Sequence, residues 1–303
     1  MVQSHFIVKP NLVLRLGWGF DNSLELFKWI VHAAAGQPRL ASRNSHTTVL
    51  TSCTSKEKGK RKQKQIKIRI RIKMDSCELW VPDFEEGVGR IIKAKRDIEI
   101  GEIVLTDTAL LAVPDGFPVC LGCLGKVDGS FLCPGCACPV CSDRCQELST
   151  HAAECELLAK NEVIPAGIDC GAPHGLYAVL PVVRALLLKQ NDPKKYQVVE
   201  ELMDHWEERR EEKGVVGTVN FMGAFCRTKL GMEWVTDEDV QHAFGVLKTN
   251  GVGQGSHKCF LYPNLSLISH SCAANLDMVD RPANTIQLVA KRRIQMGEEL
   301  TWR

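Results

Sequence analysis

Hydrophobic and polar positions divide the chain into stretches of different texture. From residue 88 to 114 the apolar residues come in short runs: Ile91 and Ile92, then Ile98 and Ile100, then residues 103–105. A Gly101-Glu102 pair divides these runs, which predicts a hairpin or small sheet. Between residues 173 and 247 the period becomes that of a helix. Asp192-Pro193 reads as a cap followed by a first-turn proline, and Val199, Leu202, Met203 and Trp206 follow at i, i+3, i+4 and i+7. Thr236 with Asp239 has the form of a capping box, and Val240, Ala243, Phe244 and Leu247 repeat the stripe. Both stripes are core faces rather than cofactor-binding surfaces. Beyond Asn250, the glycines Gly251, Gly253 and Gly255 predict a flexible loop. Strand-like sequence returns over 261–268 and over 285–290, where Ile286, Leu288 and Ala290 alternate with polar neighbours.

Two other apolar tracts do not read as export or membrane segments. Residues 11–20 are interrupted by Arg15 and lack a basic leader and a small-residue cleavage site. Residues 177–188 are broken by Pro181 and Arg184 and are too short to span a bilayer. No membrane partner is expected, and the 14 cysteines are expected to be thiols or metal ligands in the nucleus and/or cytoplasm.

The net charge of +2 hides an asymmetry. Residues 1–73 carry 15 Lys and Arg against 3 Asp and Glu, whereas the remainder carries 23 against 33. Much of the excess lies in 56–73, KEKGKRKQKQIKIRIRIK, a run that fits an import signal, a nucleic-acid tail or a solvated leader. The solvated leader is the expectation, since charge-rich tracts usually stay in water. Ile66, Ile68, Ile70 and Ile72 alternate with basic and polar residues as in an edge strand, but nothing upstream offers them a core. Nucleic acid is an expected partner only through this leader.

The densest chemistry lies in 36 residues: Cys120, Cys123, Cys133, Cys136, Cys138, Cys141, Cys145, His151 and Cys155. Without Cys138 they read C-x2-C-x9-C-x2-C-x4-C-x3-C-x5-H-x3-C. Eight donors in four pairs suit two tetrahedral zinc ions, because an x2 spacing lets one tight turn present two thiolates to one metal. So short a segment, with so few large apolar residues, needs metal binding to fold, worth roughly 10–16 kcal/mol per structural zinc. A disulfide cluster is the alternative, favoured only in secreted domains. His151 and Cys155, at i and i+4, fall on one face of a short helix. On this basis chelation is expected to unfold 119–155 and leave the helical segment intact.

Three further motifs stand around this cluster in a telling order. Gly87-Val88-Gly89 precedes the first strands. Leu261-Tyr262-Pro263 leads to Ser269-His270-Ser271-Cys272-Ala273-Ala274-Asn275, and Gly297-Glu298-Glu299-Leu300-Thr301 closes the set. Over about residues 77–303 this order resembles the SET and MYND domain (SMYD) family of protein methyltransferases, most closely its arthropod SmydA-like branch. The resemblance implies an α+β fold: a SET-type small-sheet β fold with an inserted MYND double-zinc module and a helical insert. The implied organisation is a basic, disordered leader over 1–73, N-terminal SET strands over 74–118, the MYND zinc finger over 119–155, the helical insert over 156–247 and core SET over 248–303.

The same resemblance implies S-adenosylmethionine as methyl donor, a protein lysine as acceptor, and direct displacement governed by positioning. Gly87, Val88, Gly89, Asn250, Ser269 and His270 would border the cofactor, and Asn275 would tie the threaded segment. Cys120, Cys123, Cys141 and Cys145 would hold one zinc, and Cys133, Cys136, His151 and Cys155 the other. Spacing alone permits Cys138 to replace Cys136; the family pattern argues for Cys136. Three departures stand out. Ser269 replaces the usual Asn, Glu86 replaces a base, and the catalytic tyrosine of GEELTxxY would fall one position after Arg303, with a third zinc site for Cys272 beyond it. Weak cofactor binding and no methylation are therefore expected of the chain as written. The alternative function is a zinc-dependent MYND interaction module without catalysis, whose partner would be a proline-containing peptide.

Overall fold

The computed structural model describes residues 78–303, apart from 86–88, 164, 166 and 256. The basic leader with its isoleucine alternation, Glu86, and the Gly87-Val88 part of the glycine motif lie outside the described residues. The strands, in chain order, are β1 (Trp80–Glu85), β2 (Gly89–Ala94), β3 (Ile103–Thr108), β4 (Leu111–Pro114), β5 (Gly251–Gly253), β6 (Lys258–Leu261), β7 (Ser269–His270), β8 (Leu276–Arg281), β9 (Thr285–Ala290) and β10 (Thr301–Trp302). They make three small sheets, with orders β1-β2, β4-β6-β5 and β3-β9-β8-β10-β7. Between β4 and β5 run the helices α1 (Asp143–Gln146), α2 (Ser149–Lys160), α3 (Gly175–Asn191), α4 (Pro193–Glu200), α5 (Trp206–Arg209), α6 (Val215–Thr228) and α7 (Asp237–Asn250). This is a mixed α+β fold of small sheets with a cysteine-rich insert and then a helical one, the arrangement that the resemblance implies.

The helical insert folds as its caps dictate. The Asp192 side chain accepts from the Lys195 amide, ahead of Pro193 at the first turn of α4. Thr236 and Asp239 exchange both bonds of a capping box at the start of α7, and Val240, Ala243, Phe244 and Leu247 are buried along it. Helix α3 is the axis of the insert and continues through Pro181, which costs one helical hydrogen bond but is buried with its neighbours. The buried residues form one cluster, in which Leu121, Leu124 and Val140 of the cysteine-rich segment join Trp80, Tyr177 and Leu288.

Three sequence expectations are corrected. The turn at Gly101 exists, with φ of +82°, but it does not join a hairpin. β2 pairs with β1, and β3 pairs with β9, because residues 95–100 cross between sheets and Ile98 bridges to Ile294. The stripe over 199–206 is not one helix: α4 stops at Glu200, Met203 is 57 % exposed, and the chain turns at His205 with φ of 50°. Nor is the start of the glycine-rich stretch a loop. Gly251, Val252 and Gly253 pair with Leu261, Phe260 and Cys259, so α7 runs directly into a strand.

Candidate metal centres and the threaded cavity

Two turns of the cysteine-rich segment are built alike. In one, Leu124 N–H donates to the Cys120 carbonyl and Cys120 N–H to Gly125; in the other, Ala137 N–H donates to Cys133 and Cys133 N–H to Cys138. Leu124 and Ala137 both take left-handed backbone, with φ of 56° and 57°. The third residue of each C-x-x-C must be small. A Cβ on Gly122 would lie 2.4 Å from the Cys145 carbonyl oxygen, and one on Gly135 would lie 2.9 Å from the Cys155 sulfur. Cys138, buried and left over in sequence, therefore occupies the position of Gly125 in the other turn and closes the turn by its carbonyl.

These turns and α2 gather two donor sets. Cys120, Cys123, Cys141 and Cys145 form one, and Cys133, Cys136, His151 and Cys155 the other, with the donor atoms of each set within 4.8 Å of one another. Cys123 Sγ lies 3.6 Å from Cys141 Sγ, Cys133 Sγ 3.6 Å from Cys155 Sγ, and Cys136 Sγ 3.4 Å from His151 Nε2. A tetrahedral zinc with Zn–S bonds near 2.3 Å has sulfur–sulfur edges of about 3.8 Å, whereas a disulfide needs about 2.05 Å. The separations suit the metal. His151 Nδ1 donates to the Gln146 carbonyl at 2.7 Å, which leaves Nε2 unprotonated and facing the sulfurs. As free thiols two members of the second set resist ionisation: the Cys138 thiol and burial push Cys136 up to about 12, and burial and the Cys136 charge push Cys155 up to about 12. A dication among them reverses that preference and ionises its ligands. Both donor sets can hold zinc.

A buried ion pair joins this module to the rest of the fold. Arg184, in the middle of α3, donates through Nε to Glu154 Oε1 at 2.5 Å and through Nη2 to Oε2 at 2.8 Å. It also reaches the Leu121 carbonyl at 2.7 Å and the Ala112 carbonyl of β4 at 2.5 Å. Leu121 follows Cys120 of one donor set and Glu154 precedes Cys155 of the other. A single guanidinium thus touches both metal neighbourhoods and β4, with Glu154 1 % and Arg184 8 % exposed.

Between residues 269 and 302 the chain threads through itself. β10 runs parallel to both of its neighbours, inserted between β7 and β8, so that Trp302 pairs with His270 on one side and Leu276 on the other. Asn275, 2 % exposed, is the tie. Its amide donates to the Glu299 carbonyl at 2.8 Å, and its carbonyl oxygen accepts from Thr301 N–H at 2.9 Å. Trp302 Nε1 donates to Ile268, and the Trp302 and His270 rings meet edge to face at 5.7 Å. From β3, buried Asp107 accepts from the Asn264 and Leu265 amides and so shapes the turn before β7.

This thread forms one wall of a cavity of about 150 Å³. Thr249, Asn250, Gly251 and Val252 line it together with Leu265, Ser266, Ile268, His270 and Trp302. It is smaller than the roughly 300–1,000 Å³ of sites that enclose whole drug-sized ligands, so it suits one end of a larger molecule. His270 lines this cavity, and its Nδ1 is buried without a hydrogen-bond partner.

Of the residues singled out in sequence, Asn250 and His270 meet at this cavity. Ser269 does not line it, its backbone pairing with Thr301 instead. Gly89 opens β2 with φ of +102°, a conformation that by itself accounts for glycine there. Sequence reasoning missed Trp302 and Thr249, which carry no motif, and Arg184, whose charge looked like an interruption of an apolar run.

The SET domain model matches residues 89–303. Two Drosophila melanogaster relatives are similar: SET domain-containing protein SmydA-8 isoform B, 27 % identical over 70 % of this chain and 48 % of its own length, and isoform A, 23 % identical over 73 % and 49 %. The chain thus spans about half the length of these curated relatives. A crystal structure of the SET domain of LSMT bound to lysine and AdoHcy is 14 % identical, covering 75 % of this chain and 49 % of that one, with a TM-score of 0.35.

Proposed function

This chain belongs to the SET domain family, a lysine methyltransferase family, as a distant homologue of SmydA-8; from that premise we propose that its cavity binds S-adenosylmethionine, for methyl transfer to a protein lysine. The observation that carries the reading is this cavity, whose lining brings His270 and Asn250 together. The cofactor supplies an electrophilic methyl group: its carbon–sulfur bond breaks as the amine lone pair forms the carbon–nitrogen bond, and the amine releases a proton. This chain's residues would hold and orient that reactant, which is where such a displacement gains its rate. Gly251 would let main chain approach the ligand and Trp302 would wall off water. Because the relatives are about twice as long, methyl transfer is proposed for the whole protein, and cofactor binding for this cavity. The proposed setting is nucleus and/or cytoplasm.

The second reading, a zinc-dependent docking module for a proline-containing peptide, is favoured by Leu132 and Leu148, 49 % and 39 % exposed beside the donor sets. Isothermal titration of S-adenosylmethionine decides between them. The expected result is measurable binding, weakened about tenfold or more in His270→Ala without loss of folding, the scale of a buried hydrogen bond lost. No binding by the unaltered protein would remove the first reading.

A further inference from the structure

We propose that Asp204 is a positioning residue for this cavity: residues 202–205 strap the last turn of α7 and set how Thr249 and Asn250 meet a ligand. The ligand rests on the cofactor reading; the strap rests on geometry alone. After α4 the chain crosses α7 instead of continuing as helix. Asp204 Oδ2 lies 2.7 Å from His242 Nδ1, and Oδ1 accepts from Trp206 N–H at 3.0 Å. His242 Nε2 lies 3.0 Å from the Val199 carbonyl, so one ring on α7 meets both ends of the crossing. The crossing is made at van der Waals contact. A Cβ on Gly245 would lie 2.6 Å from both the Cβ and the carbonyl oxygen of Asp204, so α7 needs glycine there for the strap to seat.

The polar atoms of the cavity wall are then committed to the strap. Arg209 donates through Nε to the Asp204 carbonyl at 3.1 Å and through Nη2 to Thr249 Oγ1 at 2.9 Å. Asn250 Nδ2 donates to the Met203 carbonyl at 2.9 Å and the Val246 carbonyl at 3.1 Å. Both of those partners can only accept, which fixes the amide: its nitrogen faces the strap, and its oxygen is what remains for a ligand. The strap, with the Val246 carbonyl of α7 itself, makes Asn250 an acceptor, suited to a ligand N–H such as an ammonium or an exocyclic amine. A residue far from any motif decides the polarity of this wall.

Two variants test it. Asp204→Ala removes the tie to His242, whereas Gly245→Ala removes no polar group and improves intrinsic helix propensity, yet should unseat the strap by collision. Hydrogen exchange over 246–253 is expected to quicken about tenfold in both, the scale of one lost charged hydrogen bond, while 119–155 stays unchanged. S-adenosylhomocysteine, titrated by calorimetry, is expected to bind about tenfold more weakly to both. Faster exchange across the whole protein would mean a merely structural strap and overturn the proposal, as would unchanged exchange over 246–253 in Gly245→Ala. No heat with the unaltered protein would instead fail the cofactor reading, and exchange would still decide the strap.

Discussion

Residues 119–155 and residues 269–302 are both short segments, and they are ordered by unlike means. The first gathers eight donors around two points, with two near-identical turns, the short α1 and the start of α2 as its regular parts. The second has no ligand set. It is held by a strand inserted between two others and by one buried amide that bonds the inserted segment at both Glu299 and Thr301. In the first, each side chain contributes by its chemistry, so identity and spacing matter and the surrounding fold hardly does. In the second, the same Asn or Trp would mean nothing outside that topology. Metal-held order is modular, and threaded order is not.

The sharpest way to break this contrast is to remove a ligand. Cys141→Ser is expected to lower bound zinc from two ions to one, since loss of one thiolate forfeits much of the roughly 10–16 kcal/mol that a structural zinc supplies. Cys138→Ser is expected to leave two, because Cys138 serves its turn through its carbonyl. Elemental analysis or native mass spectrometry reads both. An unchanged count in Cys141→Ser would dissolve the donor set around Cys120.

A smaller effect tests how modular the module is. Arg184 bonds Glu154, Leu121 and Ala112 together, so chelation should disturb α3 as well as 119–155, contrary to the separable module that cysteine spacing suggests. Arg184→Met strands the Glu154 carboxylate in the core and is expected to cost about 3–5 kcal/mol. The double variant Arg184→Met, Glu154→Leu should recover much of that loss, since no buried charge remains unpaired. Urea unfolding of the three proteins, with and without chelator, measures the coupling. If the double variant is as unstable as the single one, the carbonyl bonds rather than the ion pair join the two regions.

What could be read in advance divides along the same line. The eight donors were legible because tetrahedral chemistry imposes spacing on the chain itself. So were the caps at Asp192 and Thr236, which act within one turn. The partner of β3 was not legible, because Ile103 meets Val289 across 186 positions and nothing local records it. The stripe over 199–206 misled for the same reason. Its residues do alternate as a helix would, but Asp204 has a tertiary use over α7 that ends the helix at Glu200. His270 and Asn250 were reached only through family resemblance, and Trp302 not at all, since the cavity exists only once the thread is made.

The smallest expected effect falls on the thread. Asn275→Ala removes an amide whose nitrogen and oxygen both serve the main chain, leaving the Glu299 carbonyl and the Thr301 N–H without those partners, at a cost of about 1–3 kcal/mol. Zinc content should stay at two ions, which separates this variant from the ligand changes. Asn275→Asp sharpens the point. The new carboxyl can still accept from Thr301 but cannot donate to Glu299, and it would sit beside Glu298, whose carboxyl is held low by Arg292 against the effect of burial. Burial and that neighbouring charge would raise the new group's folded pKa above its unfolded value of about 3.9. An acid with a raised folded pKa binds its proton more readily when folded, so it destabilises most at neutral pH and less as pH falls through the folded value. Thermal melts of this variant should therefore draw closer to those of the unaltered protein between pH 7 and about pH 5, with Asn275→Ala as the pH-independent control. A gap that stays constant over that window would mean the new carboxylate finds solvent, and that the thread is looser than the bonds around Asn275 indicate.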